Sequence, residues 1–212
     1  MDQQVAIKVA EELLRIEAIK LRPEQPFKWS SGWNSPIYCD NRFTLSFPGL
    51  RTFIKESLTG AIKSNFPNAE AIAGVATAGI PQGALVADML NLPFIYVRPK
   101  PKDHGMENLI EGKVVKGQKV VILEDLISTG GSSIKAGEAL KDAGFEILGM
   151  AAIFTYGFDV AAQNFNKVGI KLITLSNYET LISICKSKGL YNDEVLKSLE
   201  QWRIAPEKWN AK

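Results

Sequence analysis

The 212-residue chain reads as an α/β protein, with a central, mainly parallel sheet flanked by helices and a small irregular subdomain near its start. Three observations predict this. Short apolar runs recur at 71–75 (AIAGV), 93–97 (PFIYV), 119–123 (KVVIL), 147–154 (ILGMAAIF) and 170–175 (IKLITL). They are near-continuously apolar rather than alternating, as strands buried on both faces are. Helical patterns lie between several of them, which is the signature of parallel strands joined by crossovers. The segment 26–48, PFKWSSGWNSPIYCDNRFTLSFP, follows neither period and is rich in Pro, Ser, Gly, Asn and aromatics, so it stands apart as short strands and turns.

In chain order, residues 3–16 set Val5, Val9, Leu13 and Ile16 along one helical stripe. After the irregular segment, a helix covers roughly 49–65 and leads into the strand at 71–75. Pro81 suits the first turn of a helix to about 90, because an N–H there has no intrahelical partner to lose. The interval 98–118, RPKPKDHGMENLIEGKVVKGQ, carries two prolines, high charge and no sustained period. A loop of that length inside a compact domain is usually functional or disordered. A helix at 132–143, closed by Gly144 at the C′ position, separates the third and fourth strands. Ser176 and Glu179 form a capping-box pattern for a helix to about 187, and Asp193 opens a last one to about 203. The tail 190–212, with Trp202 and Trp209, is expected to pack against the irregular subdomain or a partner subunit.

The totals bound the function. At 46% hydrophobic and 23% charged residues the composition is that of an ordinary soluble domain. A net charge of +2 gives no case for a nucleic-acid or membrane surface. Cys39 and Cys185 have neither metal-ligand spacing nor the number of a disulfide framework. The start, MDQQVAIKVAEELLRIEA, holds acids and no long apolar run, so no signal peptide or membrane span is expected, and a cytoplasmic location is.

The chemistry concentrates in residues 120–133, VVILEDLISTGGSS. An apolar strand ends in Glu124 and Asp125, and an uncharged loop follows: Ser128, Thr129, Gly130, Gly131, Ser132 and Ser133. In parallel sheets ligands bind beyond the carboxyl ends of strands. Free amides at the next helix start attract an anion, glycines let the backbone approach it, and the hydroxyls of Ser128, Thr129, Ser132 and Ser133 add donors. This describes a phosphate cradle, but not a Walker loop, which needs a lysine. Carboxylates repel phosphate and suit sugar hydroxyls or hydrated Mg²⁺ instead. A ribose 5-phosphate satisfies both halves; a solvated strand end before a capped helix is the plain alternative.

This run resembles the ribose-phosphate signature of the type I phosphoribosyltransferases, in which the loop holds the 5-phosphate of phosphoribosyl pyrophosphate (PRPP) and the acids face its ribose hydroxyls. Three further stretches are similar to the orotate branch of that family. Arg98, Lys100, Lys102 and His104, followed by Gly105, resemble its catalytic loop, which reaches across a dimer interface. FKWSSGWNSPIYCDNR (27–42) resembles its N-terminal hood, where Ser30, Ser31 and Gly32 lie near the orotate. GVATAGIP (74–81) resembles its pyrophosphate-contacting turn.

The resemblance implies a type I phosphoribosyltransferase fold, with residues 1–212 as one domain whose hood comes mainly from about 16–48 and possibly the C-terminal residues. It implies transfer of the phosphoribosyl group from PRPP to orotate, with Mg²⁺ as cofactor held mainly through PRPP and possibly reached by Asp125 through water. PRPP binding then falls to Arg98, Lys100, Lys102, His104, Glu124, Asp125, Leu126, Ile127, Ser128, Thr129, Gly130, Gly131 and Ser132. Lys102, His104 and Asp125 are the catalytic candidates, and Ser128, Ser30, Ser31 and Gly32 the orotate contacts. A homodimer is implied, its 98–112 loop serving the neighbouring site. Compared with some members, Pro99 replaces a second base after the loop arginine, Ser30 and Ala78 replace lysines, and AIFTYGF (152–158) lacks an arginine against the base. The rivals are a phosphoribosyltransferase for another base, which would not explain the basic loop or 27–42, and a PRPP-sensing regulator, which would want an added DNA-binding element. A fused enzyme with a decarboxylase barrel needs more length than this chain has.

Overall fold

The computed structural model describes residues 2–29, 32–100 and 109–209. Helix α1 (Gln3–Arg15) starts at Asp2, whose carboxylate accepts the N–H groups of Gln4 and Val5, and it buries Ala6, Val9, Ala10 and Leu13. The strands β1 (Ile19–Leu21), β2 (Phe27–Lys28), β3 (Asn34–Ser35) and β4 (Ile37–Cys39) follow. β1 pairs antiparallel with β4, and β2 with β3, so the irregular segment is two short ribbons. A 3₁₀ turn at Asn41–Ser46 leads into α2 (Pro48–Asn65).

The remainder alternates: β5 (Ala71–Val75), α3 (Gly79–Leu90), β6 (Phe94–Val97), β7 (Ile110–Glu111), β8 (Lys119–Ile127), α4 (Gly131–Asp142), β9 (Glu146–Thr155), α5 (Asp159–Val168), β10 (Leu172–Asn177), α6 (Tyr178–Ser187) and α7 (Asp193–Ile204). One sheet has the order β10-β9-β8-β5-β6-β7, parallel throughout except for β7 at the edge. Consecutive side chains of a strand point to opposite faces, and both faces here are dry. Val121 and Leu123 enter a core with Leu13, Ile54 and Leu58, while Val120 and Ile122 enter another with Leu140 and Phe165. That is why these strands read as unbroken apolar runs.

Four local expectations need correction. The third strand does not stop at Leu123. It stays hydrogen-bonded to β9 through Ile127, so Glu124 and Asp125 are strand residues opposite Ala152 and its neighbours rather than the strand's end. Ser176 is not a helix cap; it lies in β10 and donates its hydroxyl to the Ala6 carbonyl at 2.8 Å, while Asn177 caps α6 by accepting from Thr180. Helix α5 had no counterpart in the sequence reading, and β7 interrupts what read as an unbroken loop.

The chain's end returns to its beginning. Trp202 on α7 is fully buried, donates Nε1–H to the Asn34 carbonyl at 3.3 Å, and meets the Trp29 ring edge-on at 5.6 Å. Tyr191 donates to the Leu21 carbonyl at 3.3 Å. These contacts hold β1–β4 over the carboxyl ends of the sheet strands.

Candidate active site

β8 carries Glu124 and Asp125 to the rim of the sheet. Glu124 is only 7% exposed. One carboxylate oxygen accepts the Asp125 N–H at 3.0 Å, and the other accepts the Ser133 hydroxyl at 3.1 Å. Burial, and then the neighbouring Asp125 charge, push its pKa up to about 8; the two hydrogen bonds oppose the shift without cancelling it. Asp125 is raised as well, again chiefly by burial. A carboxylate deprived of water and given no adjacent cation favours its neutral form. Arg42, the nearest cation felt by Asp125, is itself bound by two hydrogen bonds of 2.7 Å to Asp40. The acid pair is therefore a site built for hydroxyl donors or an incoming cation.

The strand is tied to the hood from the far side of the sequence. Asn41, 1% exposed, donates to the Asp125 carbonyl at 2.8 Å across 84 residues. Below the acids, the 74–81 turn approaches β8 so closely that a Cβ on Gly79 would lie 2.5 Å from the Leu123 carbonyl oxygen. Only glycine permits that approach, and it fixes the start of α3 beside the acid pair.

The loop after β8 is shaped by its carbonyls. Ile127 O accepts from the Tyr156 N–H and the Thr155 hydroxyl, and Thr129 O accepts from the Asn164 side chain at 3.1 Å. With these carbonyls turned outward, Gly130 adopts φ +80° and α4 begins at Gly131. Phe165 would stand 2.7 Å from a Cβ at Gly130, so a side chain there is doubly forbidden. The amides of the first turn of α4 have no intrahelical acceptor, an arrangement suited to an anion.

Two cavities meet at this loop. One, of about 690 Å³, lies under the hood and is lined by Phe27, Lys28, Trp29, Trp33, Tyr38, Cys39, Leu126, Ser128, Thr129 and Tyr156. The other, of about 580 Å³, brings Arg98 and Lys135 to Gly131, Ser132 and the Val75–Ala76 turn. The first takes in Leu126, Ser128 and Thr129 of the β8 end and its loop, and the second Gly131 and Ser132 at the start of α4.

Of the sequence-predicted residues, Leu126, Ser128 and Thr129 line the hood cavity, Gly131, Ser132 and Arg98 line the outer one, and Glu124, Asp125 and Gly130 adjoin them in the same strand and loop. Arg98 also pairs with Glu111 at 3.5 Å, and Lys100 is exposed just beyond it. Three of the residues named from the sequence have other local contacts. The Ile127 side chain is fully buried in the sheet core, away from the crevice. The Ser133 hydroxyl serves Glu124 and not a phosphate. The Gly32 N–H, offered as an orotate donor, donates to the Trp29 carbonyl at 2.9 Å. Ser30, Ser31, Lys102 and His104 lie outside the described residues. Sequence reasoning missed Asn41, Lys28, Tyr38, Tyr156 and Lys135; the cluster of aromatics around Lys28 was the available signal for the hood cavity.

The family model of the phosphoribosyl transferase domain matches residues 51–185, which span the parallel sheet, its acid-bearing strand and the glycine loop, so the chain is a phosphoribosyltransferase by class. Within that class the chain belongs to the orotate phosphoribosyltransferase family. It is 63% identical to an orotate phosphoribosyltransferase of Cytophaga hutchinsonii over 201 residues, covering 95% of this chain and 96% of the relative. It is 56% identical to that of Bacteroides thetaiotaomicron over 202 residues, 95% of each chain. Among solved structures it resembles the orotate phosphoribosyltransferase of Aeropyrum pernix, with a TM-score of 0.75, 28% identity, and coverage of 87% of this chain and 99% of that one.

Proposed function

We propose that the protein is an orotate phosphoribosyltransferase of pyrimidine biosynthesis, taking PRPP and orotate to orotidine 5′-monophosphate and pyrophosphate. The observation that supports the reading is one continuous stretch of β8 and its loop that walls two cavities: Leu126, Ser128 and Thr129 line an aromatic one, Gly131 and Ser132 line one that also holds Arg98 and Lys135, and the acids Glu124 and Asp125 directly precede them on the strand. A ribose 5-phosphate laid along this wall would set its hydroxyls on Glu124 and Asp125 and its phosphate in the amides of 128–132. Its anomeric carbon would face the hood.

In the reaction the anomeric C–O bond to pyrophosphate breaks, its electron pair leaving with pyrophosphate, and a bond from orotate N1 replaces it. Positive charge accumulates on the ribose in between, and the acid pair favours that charge while orienting the hydroxyls. Orotate's negative charge lies on its carboxylate, so N1 also gives up its proton as the new bond forms, to water or to an oxygen of the departing pyrophosphate. Arg98 lines the outer cavity of its own subunit, at the base of the 98–112 loop whose Lys102 and His104, with Lys100 in support, close over the departing pyrophosphate of the neighbouring subunit in a homodimer. The chain's contribution is positioning and electrostatics rather than covalent chemistry.

Mg²⁺ fits this donor set as a guest of the substrate. Among the described residues no three acids, histidines or cysteines converge as a resident metal site. The two acids, raised in pKa by burial, would gain from a cation brought alongside the ribose, with Asp125 reaching it through water. Bound there, Mg²⁺ supplies charge neutralisation for the diphosphate. No helix among the described residues is long and apolar enough to cross a membrane.

The direct test follows orotate absorbance with PRPP and Mg²⁺ present and then with each omitted. Loss of absorbance only in the complete mixture is expected. Equal turnover of a purine base in place of orotate would overturn the assignment.

A further inference from the structure

Orotate differs from the neutral pyrimidines by a carboxylate, and a site selective for it needs a countercharge. Near the hood cavity the candidates reduce quickly. The Gly32 amide is already bonded to Trp29, and the Trp29 indole N–H donates to the Ile37 carbonyl at 3.3 Å. Arg22 lies over the Phe27 ring, 5.2 Å from its centroid, and does not line the cavity. Arg42 is held by Asp40. Ser128 lines the cavity but offers a neutral hydroxyl.

Among the described residues that line the cavity, the one with a formal positive charge is Lys28, on β2, and no acid lines it there. We infer that Lys28 is the specificity residue for the carboxylate of the base. This rests on the orotate reading and deepens it.

The local structure suits the role. Lys28 pairs with Asn34 across the hairpin, so its backbone is held in a ladder rather than on a free loop. Its neighbour Phe27 packs on Tyr38 at 5.6 Å, and Trp29 packs on Tyr156 at 5.1 Å, which places the lysine between two aromatic anchors at the cavity rim. The ammonium is exposed before ligand arrives, so it stays hydrated and carries no burial cost in the empty enzyme. An aromatic wall on one side lowers the local dielectric when the base enters, which strengthens a carboxylate–ammonium pair above its value in open water. The flexible four-carbon stem lets the charge follow the base as the hood settles.

The experiment compares Lys28→Met and Lys28→Arg with the unmodified enzyme. For Lys28→Met the KM for orotate should rise roughly tenfold, the scale of one lost charge-assisted contact at a partly solvated site. The KM for PRPP and the melting temperature should move little. Lys28→Arg should recover most of the loss. Added NaCl should raise the orotate KM of the unmodified enzyme and have a smaller effect on Lys28→Met, since screening acts on a pair that the variant lacks. An unchanged orotate KM in Lys28→Met, or a fall in kcat that Lys28→Arg does not recover, would overturn the inference. Failure of the unmodified enzyme to use orotate at all would instead sink the functional reading on which it stands.

Discussion

Replacing Glu124 with Gln should cost the enzyme its activity and stabilise its ligand-free fold at alkaline pH. Burial lifts the Glu124 carboxyl from an ordinary 4.5 to about 8. A carboxyl raised in this way favours the folded state below its unfolded value, and that contribution disappears as pH rises through about 8. At about 1.4 kcal/mol per decade, 4.5 to 8 corresponds to at most roughly 5 kcal/mol. Side-chain relaxation and water entry reduce the cost of an ionised buried group, leaving about 2 kcal/mol. Gln removes the charge while keeping both local bonds available: its carbonyl can accept the Asp125 N–H, and its amide can donate to a rotated Ser133 hydroxyl. In thermal melts without ligand from pH 5 to 9, E124Q and wild type should nearly coincide at pH 5. At pH 9 the variant should melt about 4–8 °C higher. A gap that does not change with pH, or a variant less stable than wild type at pH 9, would refute the view that burial keeps the ligand-free acid neutral and makes its ionisation costly.

Asn41→Ala removes the side-chain hydrogen bond from the 3₁₀ turn to the acid strand and leaves a buried carbonyl unpaired; stability in urea should drop by about 1–3 kcal/mol, with the KM values of both substrates rising. Gly79→Ala drives a methyl group against the Leu123 carbonyl at 2.5 Å, and because backbone meets backbone the expected loss in denaturation is about 2–4 kcal/mol. Lys102→Ala and Asp125→Asn should each lower turnover by orders of magnitude, and their mixture should regain activity through hybrid dimers with one intact site; steady-state rates of the mixed sample check this, and no complementation would mean that each subunit is self-contained.

How much of this was legible in the sequence follows from what each feature depends on. The sheet strands were readable because both faces are buried, so apolar identity alone marks them. The acid strand was read short because that same criterion ends at Leu123, whereas pairing with β9 carries the extended backbone through two carboxylates to Ile127. Helix α5 went unread because only Ala161 and Phe165 of its ten residues are buried, too few for a stripe to stand out. The cap of α6 moved from Ser176 to Asn177 because Ser176 has a tertiary partner in α1. At the site, the acids and the glycine loop are contiguous and so declare themselves. The partners that tune them do not: Asn41 is 84 residues from Asp125, and Lys28 joins the loop only when two short ribbons fold over the sheet.

The account stands or falls on where the nucleotide lies. A crystal of the enzyme soaked with orotidine 5′-monophosphate should show the phosphate on the amides of 128–132, the ribose hydroxyls on Glu124 and Asp125, and the pyrimidine among Lys28, Tyr38 and Tyr156. Density for the nucleotide at any other place, with that wall bare, would contradict it.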